Sequence, residues 1–156
     1  MHYLVPMTHP QAFQDIAENL SYLDDWEDRY RYVMELGRAM PPFDEAQRSD
    51  VNKVRGCASQ VWLSSKVMPR AAGGEPTLVL AGDSDAHLVR GLVAIVIAMY
   101  QERPLSEIAT LDAEAELATL GLREHLTPQR SNGLASMIKR IRLDAAQALA
   151  AQPSAH

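Results

Sequence analysis

Apolar residues at helical spacing mark the first third of the chain. Residues 10–23 carry one such stripe, and residues 25–39 carry a second. Asp24 or Asp25 offers an N-cap for the second helix, and Gly37 with the prolines that follow ends it. Each stripe is typical of a helix that packs one face against a core, and we favour this interpretation over a binding role.

The middle of the chain shows the alternating pattern of strands. Residues 51–54 predict a short extended stretch, residues 61–67 alternate in character, and residues 77–82 (TLVLAG) predict a further strand. Gly56 permits a tight turn between the first two, and residues 68–76 (MPRAAGGEP) form a second turn signal. Strands joined by short turns pair in antiparallel fashion.

After this sheet the pattern returns to helices. Asp83 and Ser84 are candidate caps for a densely apolar helix that Pro104 ends. Two short helices follow, then a polar loop over residues 123–133 and a last helix. Helices segregated from a run of strands predict an α+β fold, a small antiparallel sheet with helices packed against it. We expect a single domain over residues 1–156, with its core at about 10–150 and loose termini.

The composition argues against several classes of protein. The chain has 156 residues, of which 47% are hydrophobic and 22% charged, so it has enough apolar surface to fold. Its net charge of -5 argues against nucleic acid as the main partner. The longest apolar run, residues 91–100, is about half the length of a membrane span, which predicts a buried helix and no membrane insertion. No signal peptide is evident, so we expect a cytoplasmic location.

The chain has one cysteine, Cys57, at the predicted turn. One thiol cannot form an intrachain disulfide or a multi-thiolate metal site, which agrees with a reducing compartment. A lone cysteine is often a small buried hydrophobe. Its neighbours Gly56, Ala58 and Ser59 are small, however, and adjacent Arg55 could stabilise a thiolate. Cys57 is therefore also a candidate nucleophile at a loop tip.

Several kinds of cysteine chemistry stay open. A hydrolase or transferase would need a histidine base, and His87 or His125 could serve. A cysteine without an evident base instead fits a carrier that accepts a group and passes it on. The Asp83 and Asp85 pair is most simply interpreted as helix capping. Arg130 lies in the predicted polar loop, where it could hold the loop or bind an acidic partner.

Four segments in order resemble the SufE family of sulfur acceptors for cysteine desulfurases. The family motif Gly-Cys-x-Ser-Gln-Val-Trp is matched by six residues, Gly56, Cys57, Ser59, Gln60, Val61 and Trp62. Residues 26–41, 81–95 and 124–134 resemble further family segments, and together the resemblance spans most of residues 24–147. The family often has Gln where this chain has Ala58.

The resemblance implies a fold similar to the scaffold protein IscU, and a persulfide carrier that is not itself an enzyme. Cys57 would accept sulfur from a PLP-dependent cysteine desulfurase, stimulate that enzyme, and pass the sulfur on to an iron–sulfur scaffold. It also implies that Asp85 and Arg130 hold the loop or face the partner, with Ser59 and Gln60 in structural roles. The chain would bind no cofactor or metal, and would be a monomer or weak homodimer. A shallow apolar pocket would shelter the cysteine until the loop flips outward on binding. An iron–sulfur scaffold role for this chain is a weaker alternative, because it has one cysteine.

Overall fold

Six α-helices and a two-stranded antiparallel sheet make up the described residues, 10–70 and 73–152, of this computed structural model. In chain order the elements are α1 (Gln11–Ser21), α2 (Trp26–Ala39), β1 (Val61–Met68), β2 (Thr77–Ser84), α3 (His87–Tyr100), α4 (Leu105–Thr110), α5 (Ala113–Ala118) and α6 (Pro128–Ala150). The predicted α+β class is confirmed. The loose termini are predicted at residues 1–9 and 151–156, of which residues 1–9 and 153–156 lie outside the described residues, as do residues 71–72 of the second turn.

The first two helices form as their apolar stripes predict. Helix α1 buries Phe13, Ile16 and Leu20, and helix α2 begins after Asp25, whose carboxylate accepts a hydrogen bond from the Glu27 amide. Helix α2 crosses α3 at very short range. A Cβ added at Gly37 would lie 2.7 Å from the backbone nitrogen of Gly91, so the crossing requires residues without side chains.

The sheet is smaller than the alternating pattern predicts. Strands β1 and β2 pair over their full length, from Val61 opposite Ser84 to Met68 opposite Thr77. The stretch predicted at residues 51–54 reduces to one bridge, between Lys53 and Trp62, because turns occupy the residues before it. The inward pattern of β1 also ends early, since Val61 and Leu63 are buried whereas Val67 is 38% exposed.

Two helix boundaries differ from the prediction. Asp83 and Ser84 do not cap α3; they belong to β2, and α3 begins at His87 after Ala86 without a side-chain cap. The pairing of their backbones with β1 extends the strand beyond Gly82. Arg130 lies in the first turn of α6 and not in a loop. Thr127 caps that turn and Pro128 suits its first position, so the helix begins within the polar segment.

Helix α3 lies at the centre of the core. Nine of its fourteen residues are buried, and it packs against α1, α2, α6 and the inner face of β2. Among the described residues, none of the helices is long and apolar enough to span a membrane. The arrangement brings the start of α3, the start of α6 and the turn before β1 to one side of the molecule, where the candidate site lies.

Candidate functional site

Cys57 lies at the tip of a short hairpin. Two backbone hydrogen bonds close its stem, residues 52–54 and 61–63: the Val54 amide donates to the Val61 carbonyl at 2.8 Å, and the Leu63 amide donates to the Asn52 carbonyl at 2.9 Å. Residues 55–60, hereafter the Cys57 loop, connect the two sides. The predicted position of Cys57 at a loop tip is confirmed.

Glycine makes the turn possible. Gly56 has a φ of +90°, a left-handed conformation that residues with side chains rarely adopt. A Cβ at Gly56 would also lie 2.6 Å from the Ser136 hydroxyl of helix α6. The glycine before the cysteine therefore serves both the turn and the close approach of the loop to α6.

The thiol is half-buried against the start of α6. Cys57 Sγ lies 3.6 Å from the Gly133 carbonyl oxygen, to which a protonated thiol donates a weak hydrogen bond. Beside it is a small cavity of about 20 Å³, lined mainly by apolar groups that include Val89, Leu92 and Met137. This Cys57 pocket has room for roughly one water-sized group.

The surroundings of Cys57 favour the neutral thiol. Burial raises the pKa of the Cys57 thiol above its ordinary value, because the pocket disfavours a charged sulfur. Neighbouring Arg55 is exposed and does not offset this effect. Stabilisation of a thiolate by Arg55 therefore stays a prediction, and opening of the loop or docking of a partner would favour the reactive thiolate by changing these surroundings.

Gln60 and Asp85 join the end of the Cys57 loop to β2. The Gln60 amide donates to Asp85 Oδ1 at 3.0 Å, and the Asp85 amide donates to the Gln60 carbonyl at 3.3 Å. Both residues are exposed, so these bonds compete with water. Asp85 thus tethers the loop beyond the last pair of the sheet, while Ser59 lines the Cys57 pocket.

Arg130 also lines the Cys57 pocket, from the first turn of α6. Within residues 10–70 and 73–152, its guanidinium makes no hydrogen bond or ion pair, and the side chain is partly exposed. The structure therefore brings Cys57, Ser59 and Arg130 to one pocket, with Asp85 and Gln60 at its edge. A positive charge at the mouth of this pocket is available to an anionic group.

The two histidines do not form a pair with Cys57. The His125 ring stacks on Trp26, with ring centroids 3.3 Å apart, and its carbonyl accepts a hydrogen bond from the Tyr30 hydroxyl. His87 is the exposed first residue of α3. Neither is hydrogen-bonded to Sγ in the described part of the chain. Within residues 10–70 and 73–152, neither candidate histidine is therefore positioned as a base for Cys57.

A buried ion cluster behind the Cys57 loop has no clear signal in the sequence. Asp83 is 5% exposed and pairs with Arg48, at 2.5 Å, and with Arg90, at 3.0 Å. In the sequence, the acidic pair of Asp83 and Asp85 indicates helix capping, and Arg48 lies in a polar segment without periodicity. The one available signal for this cluster is the place of Asp83 next to the predicted strand of residues 77–82, which pairs with the strand that carries Trp62.

A family model and the similar curated proteins all point to the same family. Residues 14–145 match the family model SufE, described as an Fe-S metabolism associated domain. An uncharacterised SufE-like protein of Rhizobium etli is 54% identical over 134 residues, which cover 86% of this chain and 89% of that protein. A similar protein of Rhizobium meliloti is 49% identical over 134 residues, covering 86% of this chain and 94% of that one.

A solved structure supports the fold. The solution structure of a hypothetical protein from Thermus thermophilus superposes with a TM-score of 0.68, covering 92% of this chain and all of the other. The two sequences are 18% identical, so this likeness concerns the fold alone.

Proposed function

This chain belongs to the SufE family, and from that premise we propose that it carries persulfide sulfur on Cys57 for iron–sulfur metabolism. The donor is a PLP-dependent cysteine desulfurase, and the recipient is a scaffold on which clusters are assembled. The observation that carries the proposal is the position of the chain's one cysteine, at the tip of a tethered loop beside a small apolar pocket.

The transfer requires no redox partner. The Cys57 thiolate attacks the terminal sulfur of the desulfurase persulfide, forming a new S–S bond. The S–S bond on the desulfurase breaks, and its electron pair leaves on the desulfurase cysteine as a thiolate. The product is Cys57 with one added sulfur, and the desulfurase is free to turn over again. The chain itself needs no PLP, since that cofactor acts in the partner.

The pocket shelters the sulfur between transfers, and the loop exposes it for transfer. A half-buried thiol in its neutral form is less prone to adventitious oxidation, because oxidation proceeds through the thiolate. The cavity beside Sγ is large enough for about one further small group, such as a terminal sulfur. For transfer, the Cys57 loop flips outward, which breaks the exposed Asp85–Gln60 contacts and the weak bond to Gly133.

Arg130 and Asp85 have distinct parts in this proposal. Arg130 has no partner among the described residues and lines the pocket, so it faces the docked desulfurase or the anionic sulfur. Asp85 holds the loop in its closed position through the Gln60 backbone. The reaction takes place in the cytoplasm, where a reducing environment keeps a single cysteine free.

Intact-protein mass spectrometry tests the proposal. The chain is incubated with a cysteine desulfurase, PLP and L-cysteine, and wild type is compared with Cys57→Ser. We expect wild type to gain one or more sulfur atoms, reversibly with reductant, and the variant to gain none. If wild type gains no sulfur with any desulfurase of its own organism, the carrier proposal fails. A Cys57-dependent small-molecule hydrolysis would then direct attention to His87 and His125.

A further inference from the structure

The Asp83 carboxylate lies between three separate parts of the chain. It belongs to β2, and its two oxygens face Arg48, which follows a short 3-10 turn, and Arg90 of α3. Oδ1 also accepts a hydrogen bond from the Ser84 amide at 2.8 Å. Because Asp83 is almost fully buried, the two arginines and the Ser84 amide take the place of the water that would otherwise solvate its carboxylate.

Arg48 connects this carboxylate to the stem of the Cys57 loop. Its guanidinium lies over the Trp62 ring at 5.2 Å and over the Phe43 ring at 5.4 Å. Trp62 is opposite Asp83 in the sheet and is bridged to Lys53 on the other side of the stem. The pairing of Arg48 with Asp83 therefore fixes the aromatic ring that stands at the base of the loop.

Arg90 connects the same carboxylate to the wall of the Cys57 pocket. It lies on the first turns of α3, beside Val89 and two residues before Leu92, both of which line the pocket. A shift of α3 relative to the stem would change the distance between the thiol and these residues. Asp83 is the one side chain among the described residues that pairs with both Arg48 and Arg90.

We propose that Asp83 is a positioning residue for the Cys57 loop: through Arg48 and Arg90 it fixes the stem against the pocket wall, so that opening is confined to residues 55–60. The tip is held far more weakly, by the exposed Asp85 and the thiol contact with Gly133. The inference rests on the proposed function only for its effect on the kinetics of sulfur transfer, because the opening of the loop can be measured without a desulfurase.

The first experiment compares Asp83→Asn with Glu107→Gln. Each variant replaces a carboxylate that pairs with arginine by its isosteric amide, but Glu107 pairs with Arg103 and lines no part of the Cys57 pocket. We expect iodoacetamide to modify Cys57 about fivefold to tenfold faster in Asp83→Asn, because the whole stem opens with the loop. Glu107→Gln should react at the wild-type rate, even if it is equally destabilised.

Native-state hydrogen exchange locates the opening. In wild type, the stem amides of Val54 and Leu63 should exchange much more slowly than those of residues 55–60. Asp83→Asn should remove this difference, whereas Glu107→Gln should keep it. Slow stem exchange and a wild-type alkylation rate in Asp83→Asn would overturn the proposal, whatever the result of the sulfur-transfer assay.

A milder variant covers the case in which Asp83→Asn does not fold. Arg48→Lys keeps a positive charge beside Asp83 but loses the planar stacking over Trp62. We expect faster alkylation of Cys57 in this variant too. With a desulfurase, it should raise the KM for this chain as substrate and leave kcat nearly unchanged, because a misplaced loop docks less often but reacts normally once docked. A lower kcat, with KM and the alkylation rate of Cys57 at their wild-type values, would contradict the positioning role.

Discussion

Two ion clusters, each built around one buried residue, have opposite charge patterns and differ in how far apart their members lie in the sequence. In the Asp83 cluster, one carboxylate faces two arginines, Arg48 and Arg90. In the Arg103 cluster, one guanidinium faces two glutamates, Glu107 at 2.5 Å and Glu116 at 3.4 Å. Asp83 and Arg103 are each about 5% exposed or less. The burial of the central residue and the number of its charged partners are thus similar, whereas the sign of the central charge and the positions of the partners differ.

Because their partners lie in different places, the Arg103 cluster stabilises the fold locally, whereas the Asp83 cluster holds the elements around the Cys57 loop. The Arg103 cluster closes a local segment, since its members lie within fourteen consecutive residues and Arg103 Nε also donates to the Met99 carbonyl at 2.7 Å. The Asp83 cluster joins parts that are far apart in sequence and that frame the Cys57 loop. A buried ion pair therefore serves the reaction only where its partners belong to the elements around the reacting atom.

The largest expected effect is on the Arg103 cluster. Arg103→Met would remove a nearly fully buried guanidinium that pairs with two glutamates and donates to the Met99 carbonyl, and we expect a loss of about 3–5 kcal/mol in the free energy of unfolding. Urea denaturation measures this loss. Below the transition, the alkylation rate of Cys57 should equal that of wild type. A markedly faster rate would show that the Arg103 cluster also controls the opening of the Cys57 loop.

A smaller effect is expected at Gly133, which contacts the thiol. Gly133→Ala should stabilise helix α6 by roughly 0.5–1 kcal/mol in intrinsic propensity. The added methyl would lie 3.4 Å from Cys57 Sγ and would occupy the space beside it. We therefore expect unchanged or higher thermal stability together with faster decay of the Cys57 persulfide, followed by mass spectrometry.

The control for Gly133→Ala is Gln147→Ala, on an exposed position of the same helix. It should raise helix propensity without changing the lifetime of the persulfide. If both variants keep the wild-type lifetime, the cavity beside Sγ does not shelter the added sulfur.

The pH dependence of stability reports on the closed Cys57 loop. Because burial raises the pKa of the Cys57 thiol in the folded state, the folded chain holds this proton to higher pH than the unfolded chain. The stabilisation is thus complete below the unfolded-state pKa, about 8.5, and is lost as the pH rises through the folded value. We expect the stability difference between wild type and Cys57→Ala to shrink from pH 8 to pH 10, measured by urea denaturation. A difference that grows with pH would refute the sheltered thiol.

The smallest effect is expected at Tyr100, beside the Arg103 cluster. Its hydroxyl is buried without a hydrogen-bond partner in the described residues, and burial raises the pKa of Tyr100 to about 12, an effect that Arg142 and Arg103 partly offset. Tyr100→Phe removes an unpaired polar group, so we expect a change within about 1 kcal/mol, in the stabilising direction. Calorimetry at neutral pH measures it. A clear loss of stability would mean that the hydroxyl has a partner, such as a bound water.

Local patterns are sufficient for most of the elements. The apolar stripes of α1 and α2, the capping residue Asp25 and the glycine turn before Cys57 all act over a few residues, and each is predictable from its neighbours. Errors arise where distant pairing decides the outcome. The backbone of β1 draws Asp83 into β2, although its place before an apolar helix suggests a cap.

The sequence by itself determined the α+β class, the one thiol and its position at a loop tip, because these depend on composition and short-range spacing. Only the tertiary structure decided the state of that thiol, since the Gly133 carbonyl, 76 residues away, and the walls from α3 are what bury it. The same holds for the pairing of Asp83 with Arg48 and Arg90. Burial and charge pairing depend on distances in space, and no local pattern of residues encodes which distant groups will meet.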